Sequence, residues 1–245
     1  RYISVTGVQT CALPISWPVA AIVAFVGAGI VWLVGRRSVA WSGRLAVVVL
    51  VAAFAAVLAE RGRWDGLSLA FALLITGVGA LNMLHATAYM AHSHAQGRFF
   101  AAFGTMIAGL VGLTAARDVI SFFGFWEVMS SWALWAAIVH EETPVARREG
   151  FKYFFFNTVG ASFMFLGLVV LSTAAGTTDL AGIGRATATM PIAALATGLV
   201  TVLVGLVMKA AQLPVRIDVQ MHPAAAPTPV SGYISAVLLK EIGRA

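Results

Sequence analysis

Apolar stretches of about 17 to 25 residues follow one another along the chain, separated by short polar joints. Each matches the length that crosses a hydrocarbon core of ~30 Å at ~1.5 Å per helical residue. The spans read from this pattern are 17–35, 43–59, 67–90, 99–115, 118–139, 152–175 and 191–213, and an eighth begins near Pro229 and is cut short. In lipid every backbone amide and carbonyl must be satisfied within its own segment, so these runs are helices. The expected fold is all-α: a polytopic transmembrane bundle of about seven full spans plus the start of an eighth.

Two joints break the pattern. In HEETPVARREGFKYFFFN, Thr143 and Pro144 fit an N-cap and first-turn proline, and the charged stretch after them is expected to run along the membrane surface before Phe151 enters it. Pro214, Pro223, Pro227 and Pro229 interrupt the seventh run and delay the eighth. Proline removes an amide donor and clashes with the preceding turn, so the seventh helix is expected to be broken, with Pro214, Pro227 and Pro229 marking the break. At membrane depth irregular backbone is tolerated where it lines a cavity.

Composition fits this picture: 60% hydrophobic residues, 11% charged, and a mean hydropathy of +0.90. The net charge of +6 comes from Arg and Lys in the short joints, with no basic, aromatic-interleaved patch of the kind that binds nucleic acid. Arg36, Arg37, Arg44, Arg98, Arg147, Arg148 and Lys152 fall on one side, against Arg61, Arg63, Arg117 and Arg185 on the other. Seven against four places the first side in the cytoplasm.

The ends read differently. Val5 to Ile15, VTGVQTCALPI, reads as translated sequencing adapter, and so does the terminal EIGRA. Residues 1–16 and 241–245 are therefore set outside the fold, and the chain is expected to be an N-terminal piece of a longer protein. The single cysteine, Cys11, lies in the first of these segments, so no cysteine-based chemistry is expected.

Two charges stand deep in apolar runs. Lys209 is the only charge between Pro191 and Pro214, and Glu127 sits in ISFFGFWEVMSSWALW. A lysine at the centre of a membrane helix costs about 2.5–3.5 kcal/mol on insertion scales, and such residues usually mark ion or proton paths. At ~6 Å and an effective dielectric near 20, a Glu127–Lys209 pair gains about 3 kcal/mol. It is either a switch that moves a proton or a static pair that fixes packing.

Lys240, after the prolines, is either a second membrane-depth lysine or one that snorkels to the interface. Arg216, Asp218 and His222 could line a water-filled access path or pair at the surface, and His85 in the third span is a relay group or a helix-to-helix hydrogen-bonding group. His92 and His94, two apart, point to different helix faces and make a poor metal pair, so no metal and no cofactor is expected. Gly160 and Gly167, like Gly198 and Gly205, are spaced by seven and put two glycines on one helix face for close approach. Trp126, Trp132, Trp135 and Phe154 to Phe156 read as lipid-facing or packing aromatics.

With RDVISFFGFWEVMSSW, KYFFFNTVGASFMFLG, VGLVMKAAQLP and APTPVSGYISAVLLK in this order, residues 67–240 resemble the proton-translocating antiporter-like membrane subunits. These are the large hydrophobic subunits of NADH:quinone oxidoreductase (complex I), of membrane-bound hydrogenases and of multisubunit Na+/H+ antiporters. The resemblance implies that Glu127, Lys209 and Lys240 are the family's proton-carrying glutamate and lysines, and that Pro214 breaks the seventh helix.

It also implies two inverted five-helix repeats. This chain would hold most of the first at 67–240, behind an N-terminal helix pair at 17–66. After Q-x-P the family commonly has a histidine and a Trp-Leu-Pro turn, where this chain has Arg216, Ile217 and Asp218, so the branch stays open. The function implied is translocation of protons, or coupling of H+ to Na+, in a complex I-like or hydrogenase-like respiratory complex. Its partners would be other membrane subunits and the lipid bilayer, in a bacterial or archaeal inner membrane. The alternatives are membership of a multisubunit Na+/H+ antiporter and a non-conducting scaffold. Any dehydrogenase or hydrogenase activity would belong to the assembled complex.

Overall fold

The computed structural model describes residues 17–209 and 226–238. The helices are α1 Val19–Gly35, α2 Val39–Ala59, α3 Gly66–Tyr89, α4 Gln96–Ala115, α5 Val119–Ile138 and α6 Pro144–Ala175. After a connector helix, Leu180–Ala186, come α7 Ile192–Lys209 and α8 Thr228–Tyr233, which runs on as a π turn, Ile234–Leu238. Five of these, α2 to α6, are long and apolar enough to cross a membrane, while α1 and α7 are shorter apolar helices. No strand occurs among the described residues; the one β-type pairing is an isolated bridge between Asp118 and Asp179.

Side-chain caps set where the helices start. Asp65 accepts hydrogen bonds from the Leu67 and Ser68 amides at the head of α3, and Asp118 accepts from Ile120 and Ser121 at the head of α5. Each satisfies amides that have no partner inside the helix. Thr143 caps α6 through the Ala146 amide, with Pro144 in the first turn, as the sequence predicts. The charged stretch beyond that cap, residues 144–151, runs without a break into the apolar span that follows. It forms the first two turns of one helix of 32 residues, about 48 Å long, which exceeds the hydrocarbon thickness. Charges at one end do not break a helix whose first turn is capped. Gly176, with φ of 67°, ends α6 in the left-handed conformation that glycine adopts without strain.

α4 is the central helix. Phe99, Phe100, Phe103, Met106, Ile107 and Leu110 are all buried on it, against α1, α2, α3 and α5. Gly109 brings α4 against the backbone of Met129 on α5, since a Cβ there would lie 3.1 Å from the Met129 nitrogen. The ends of the helices sort into two layers. On one side Gly35 meets Gly97, Glu142 pairs with Arg98 and, at 3.7 Å, with Arg147, and His94 approaches Glu141. On the other, the Val19 amide donates to Glu60, and the Leu180 amide to the Arg117 carbonyl. These are the two sides that the arginine count separates.

Candidate functional site

Glu127 closes the first α-helical part of α5, and the next six residues, Val128–Ala133, form a π segment. There the ladder shifts, and the Leu134 amide reaches back to the Met129 carbonyl. Such single-turn π bulges recur at functional sites because they turn carbonyls and side chains out of the regular ladder. In lipid each displaced carbonyl needs a donor.

Side chains supply those donors. Ser130 Oγ donates to the Trp126 carbonyl at 2.7 Å, and the Tyr153 hydroxyl on α6 donates to the Ser130 carbonyl at 3.0 Å. Ser131 Oγ donates to Glu127 Oε1 at 3.2 Å. One turn along α6, the Asn157 amide donates to the Tyr153 carbonyl at 2.9 Å. Ser130 and Ser131 are fully buried, Tyr153 and Asn157 are 1% exposed, and Glu127 is half-buried. The result is a cluster of polar side chains between α5 and α6 beside one carboxylate.

The height of this cluster relative to α7 follows from the glycines. A Cβ on Gly205 would lie 2.5 Å from the Gly160 carbonyl oxygen, and one on Gly167 2.6 Å from the Gly198 carbonyl oxygen. Each glycine pair, spaced by seven, therefore faces the other across antiparallel helices in near backbone contact, as the spacing predicts. Four residues past Gly205 on α7 is Lys209, and four before Gly160 on α6 is Phe156. The Lys209 backbone, the last described residue of α7, therefore stands level with Phe156 and Asn157. The Lys209 side chain, and all of Pro214, Arg216, Asp218, His222, Pro223 and Lys240, lie outside the described residues.

The other sequence-predicted positions cluster elsewhere. Pro227 is the N-cap of α8 and Pro229 sits in its first turn, where a missing amide costs nothing. α8 is docked on α3 by three hydrogen bonds. The Asn82 amide donates to the Pro229 carbonyl at 2.6 Å, Thr228 Oγ1 to the Tyr89 hydroxyl at 3.1 Å, and the Tyr233 hydroxyl to the Ile75 carbonyl at 2.9 Å. Ile75, Asn82 and Tyr89 are spaced by seven on one face of α3. His85 is exposed on the same face, its ring 6.1 Å from that of Tyr89. The structure thus places His85 beside the head of α8, and no described hydrogen bond joins it to the Glu127 cluster. Of the aromatics, Trp126 is buried and Trp132 is 58% exposed.

Ser131, Tyr153, Asn157 and Asn82 do not stand out in the sequence. A signal for two of them is present: Tyr153 and Asn157 are the only polar uncharged side chains in KYFFFN and, four apart, share a helix face. At the polar margin, His140 is 6% exposed and its Nδ1 lies 2.9 Å from the Ala137 carbonyl. Burial pushes its pKa below the ordinary histidine value, against the opposing pull of the Ala137 carbonyl and Glu141.

A family model described as NADH:quinone oxidoreductase/Mrp antiporter, TM, matches residues 116–243, just over half of the chain. A second, described as NADH-ubiquinone oxidoreductase (complex I), chain 5 N-terminus, matches residues 61–100. Curated relatives include a probable K(+)/H(+) antiporter component from Rhizobium meliloti, 32% identical over 74% of this chain and 18% of its own length. NADH-quinone oxidoreductase subunit L of Mycobacterium tuberculosis is 28% identical over 89% of this chain and 39% of its own length. The chain thus spans well under half the length of these relatives. Among solved structures, a chain of an archaeal membrane-bound sulfane sulfur reductase matches with a TM-score of 0.80 at 18% identity, over 91% of this chain and 50% of that one. A chain of the Mrp complex from Dietzia sp. matches with a TM-score of 0.78 at 22% identity, over 91% and 27%. Family membership and five apolar helices make this an integral membrane protein.

Proposed function

We propose, for a chain that belongs to the NADH:quinone oxidoreductase/Mrp antiporter membrane family, that it is part of a subunit translocating protons, or coupling H+ to Na+, within a multisubunit complex of a bacterial or archaeal inner membrane. Lys209 would exchange a proton between its pairing with Glu127 and a next station at Lys240, through water admitted where Pro214 breaks the helix. Arg216, Asp218, His222 and His85 would line access to that water. Residues 67–240 would form the first of two inverted repeats.

The observation that supports this most is the cluster of polar side chains at the α5 π turn. A carboxylate at membrane depth is held by Ser131 in a site built from Ser130, Tyr153 and Asn157, level with the Lys209 backbone. Two helices that serve only as packing have no use for an interrupted ladder and four polar side chains between them, each of which costs free energy to bury.

The first reading is a respiratory complex of the complex I or membrane-hydrogenase type. The second is a multisubunit cation/proton antiporter, favoured by the 32% identity to a probable K(+)/H(+) antiporter component. Vesicles holding the full-length protein in its native complex separate the two. In the respiratory reading, adding the electron donor moves protons; in the antiporter reading, an imposed Na+ or K+ gradient does so without a donor. Vesicles in which neither drives proton movement would leave the scaffold reading standing and overturn both.

A further inference from the structure

We propose that α6 is a working part of the proton path: Tyr153, seconded by Asn157, is a positioning residue that locks the π turn of α5 and so sets where the Glu127 carboxylate stands relative to α7. This rests on the proton-translocating role given to Glu127. It adds a third helix to a mechanism otherwise carried by the helices of the two charges.

Tyr153 reaches from α6 into α5 and donates to the carbonyl of Ser130, the residue immediately before the serine that holds Glu127. Within the π segment the Leu134 amide bonds five residues back to Met129, so the Ser130 carbonyl lies in a stretch where the regular four-residue ladder is suspended. If the ladder reverted to four-residue bonding, α5 would turn by roughly 100° on one side of the bulge relative to the other, the angle of one helical residue. Such a turn moves Glu127 to a different face of the bundle. The fully buried Tyr153 hydroxyl opposes that reversion by giving the Ser130 carbonyl a donor from the neighbouring helix.

Asn157 does the second half of the work. Its amide ties the Tyr153 turn from within α6, and it stands next to Phe156, the residue level with the Lys209 backbone. α6 is also packed along its length against both α5 and α7. The polar face of α6 therefore lies at the height of Glu127 and of the Lys209 backbone, so a displacement of the Tyr153 hydroxyl shifts the π turn that carries Glu127 relative to α7.

The test uses the full-length protein in its native complex, with translocation rate measured against pH for Glu127→Gln, Tyr153→Phe and Asn157→Leu. Phenylalanine keeps the ring and removes only the hydroxyl, so packing alone would leave the pH profile in place. The expected result is an inactive Glu127→Gln and, for an assembled Tyr153→Phe, a rate lowered about ten-fold with the pH profile displaced by about one unit. An unchanged rate and profile in Tyr153→Phe beside an inactive Glu127→Gln would overturn the positioning role and leave the translocation reading intact. A fully active Glu127→Gln would overturn that reading itself. Should Tyr153→Phe fail to assemble, Asn157→Leu decides by the same criterion, a displaced profile supporting the role and an unchanged one overturning it.

Discussion

Gly160 and Gly205 bring α6 and α7 together backbone against backbone: a Cβ on Gly205 would stand 2.5 Å from the Gly160 carbonyl oxygen and 2.8 Å from the Met164 nitrogen. Neither atom is the free end of a flexible side chain, so nothing can swing aside. Membrane helices gain little from the hydrophobic effect when they pair, and depend on this kind of close van der Waals fit. Gly205→Ala should therefore cost about 1–3 kcal/mol, the range for overpacking a tight interface. Thermal unfolding in lipid nanodiscs checks it against Gly184→Ala, whose new Cβ meets nothing within 4 Å and should leave the midpoint nearly unchanged.

The docking of α8 on α3 makes a separate prediction. Asn82→Leu removes the amide that donates to the Pro229 carbonyl at 2.6 Å, and Tyr233→Phe removes the hydroxyl that reaches Ile75 at 2.9 Å. Loss of a buried hydrogen-bond partner costs about 1–3 kcal/mol. Hydrogen exchange of the α8 amides should accelerate in either variant, while exchange in α4 stays as it was.

His140 predicts a pH dependence of stability. Its folded-state pKa is lowered, first by burial, with Arg98 and His94 opposing its charge and the Ala137 carbonyl and Glu141 favouring it. The unfolded chain, titrating near the ordinary 6.5, then binds the proton more tightly than the folded chain. The stability due to the buried neutral ring is fully present above that value and declines as pH falls below it, levelling off below the folded-state pKa. The unfolding midpoint should fall on acidification through this window, and His140→Phe should flatten that part of the curve.

The cap at the head of α6 is testable on its own. Thr143→Ala removes the oxygen that accepts from the Ala146 amide at 3.1 Å, a loss of about 1 kcal/mol. Exchange of the Ala146 amide should quicken, and the rest of the 32-residue helix should hold.

Much of this architecture is legible in the chain. The length of each apolar run reports the membrane, and the Thr143–Pro144 pair and the seven-residue glycine spacing report a cap and a contact face whose physics is local. The π turn after Glu127 is not legible, because one extra residue in a ladder leaves the pattern of apolar side chains almost unchanged. Tyr153 and Asn157 hide for a related reason: inside FKYFFFN an aromatic run reads as packing, and only the neighbouring α5 shows that a hydroxyl is needed there. The charges of residues 144–151 mark no helix boundary, because charge alone does not end a helix whose first turn is capped.

Whether Glu127 and Lys209 carry the proton is decided by proton movement in vesicles holding the full-length protein in its assembled complex, compared between native, Glu127→Gln and Lys209→Ala forms. Each substitution is expected to lower translocation at least about ten-fold with the complex still assembled, the loss that follows when a group that carries the proton is removed. Translocation at the native rate in both variants would contradict a proton path through this pair.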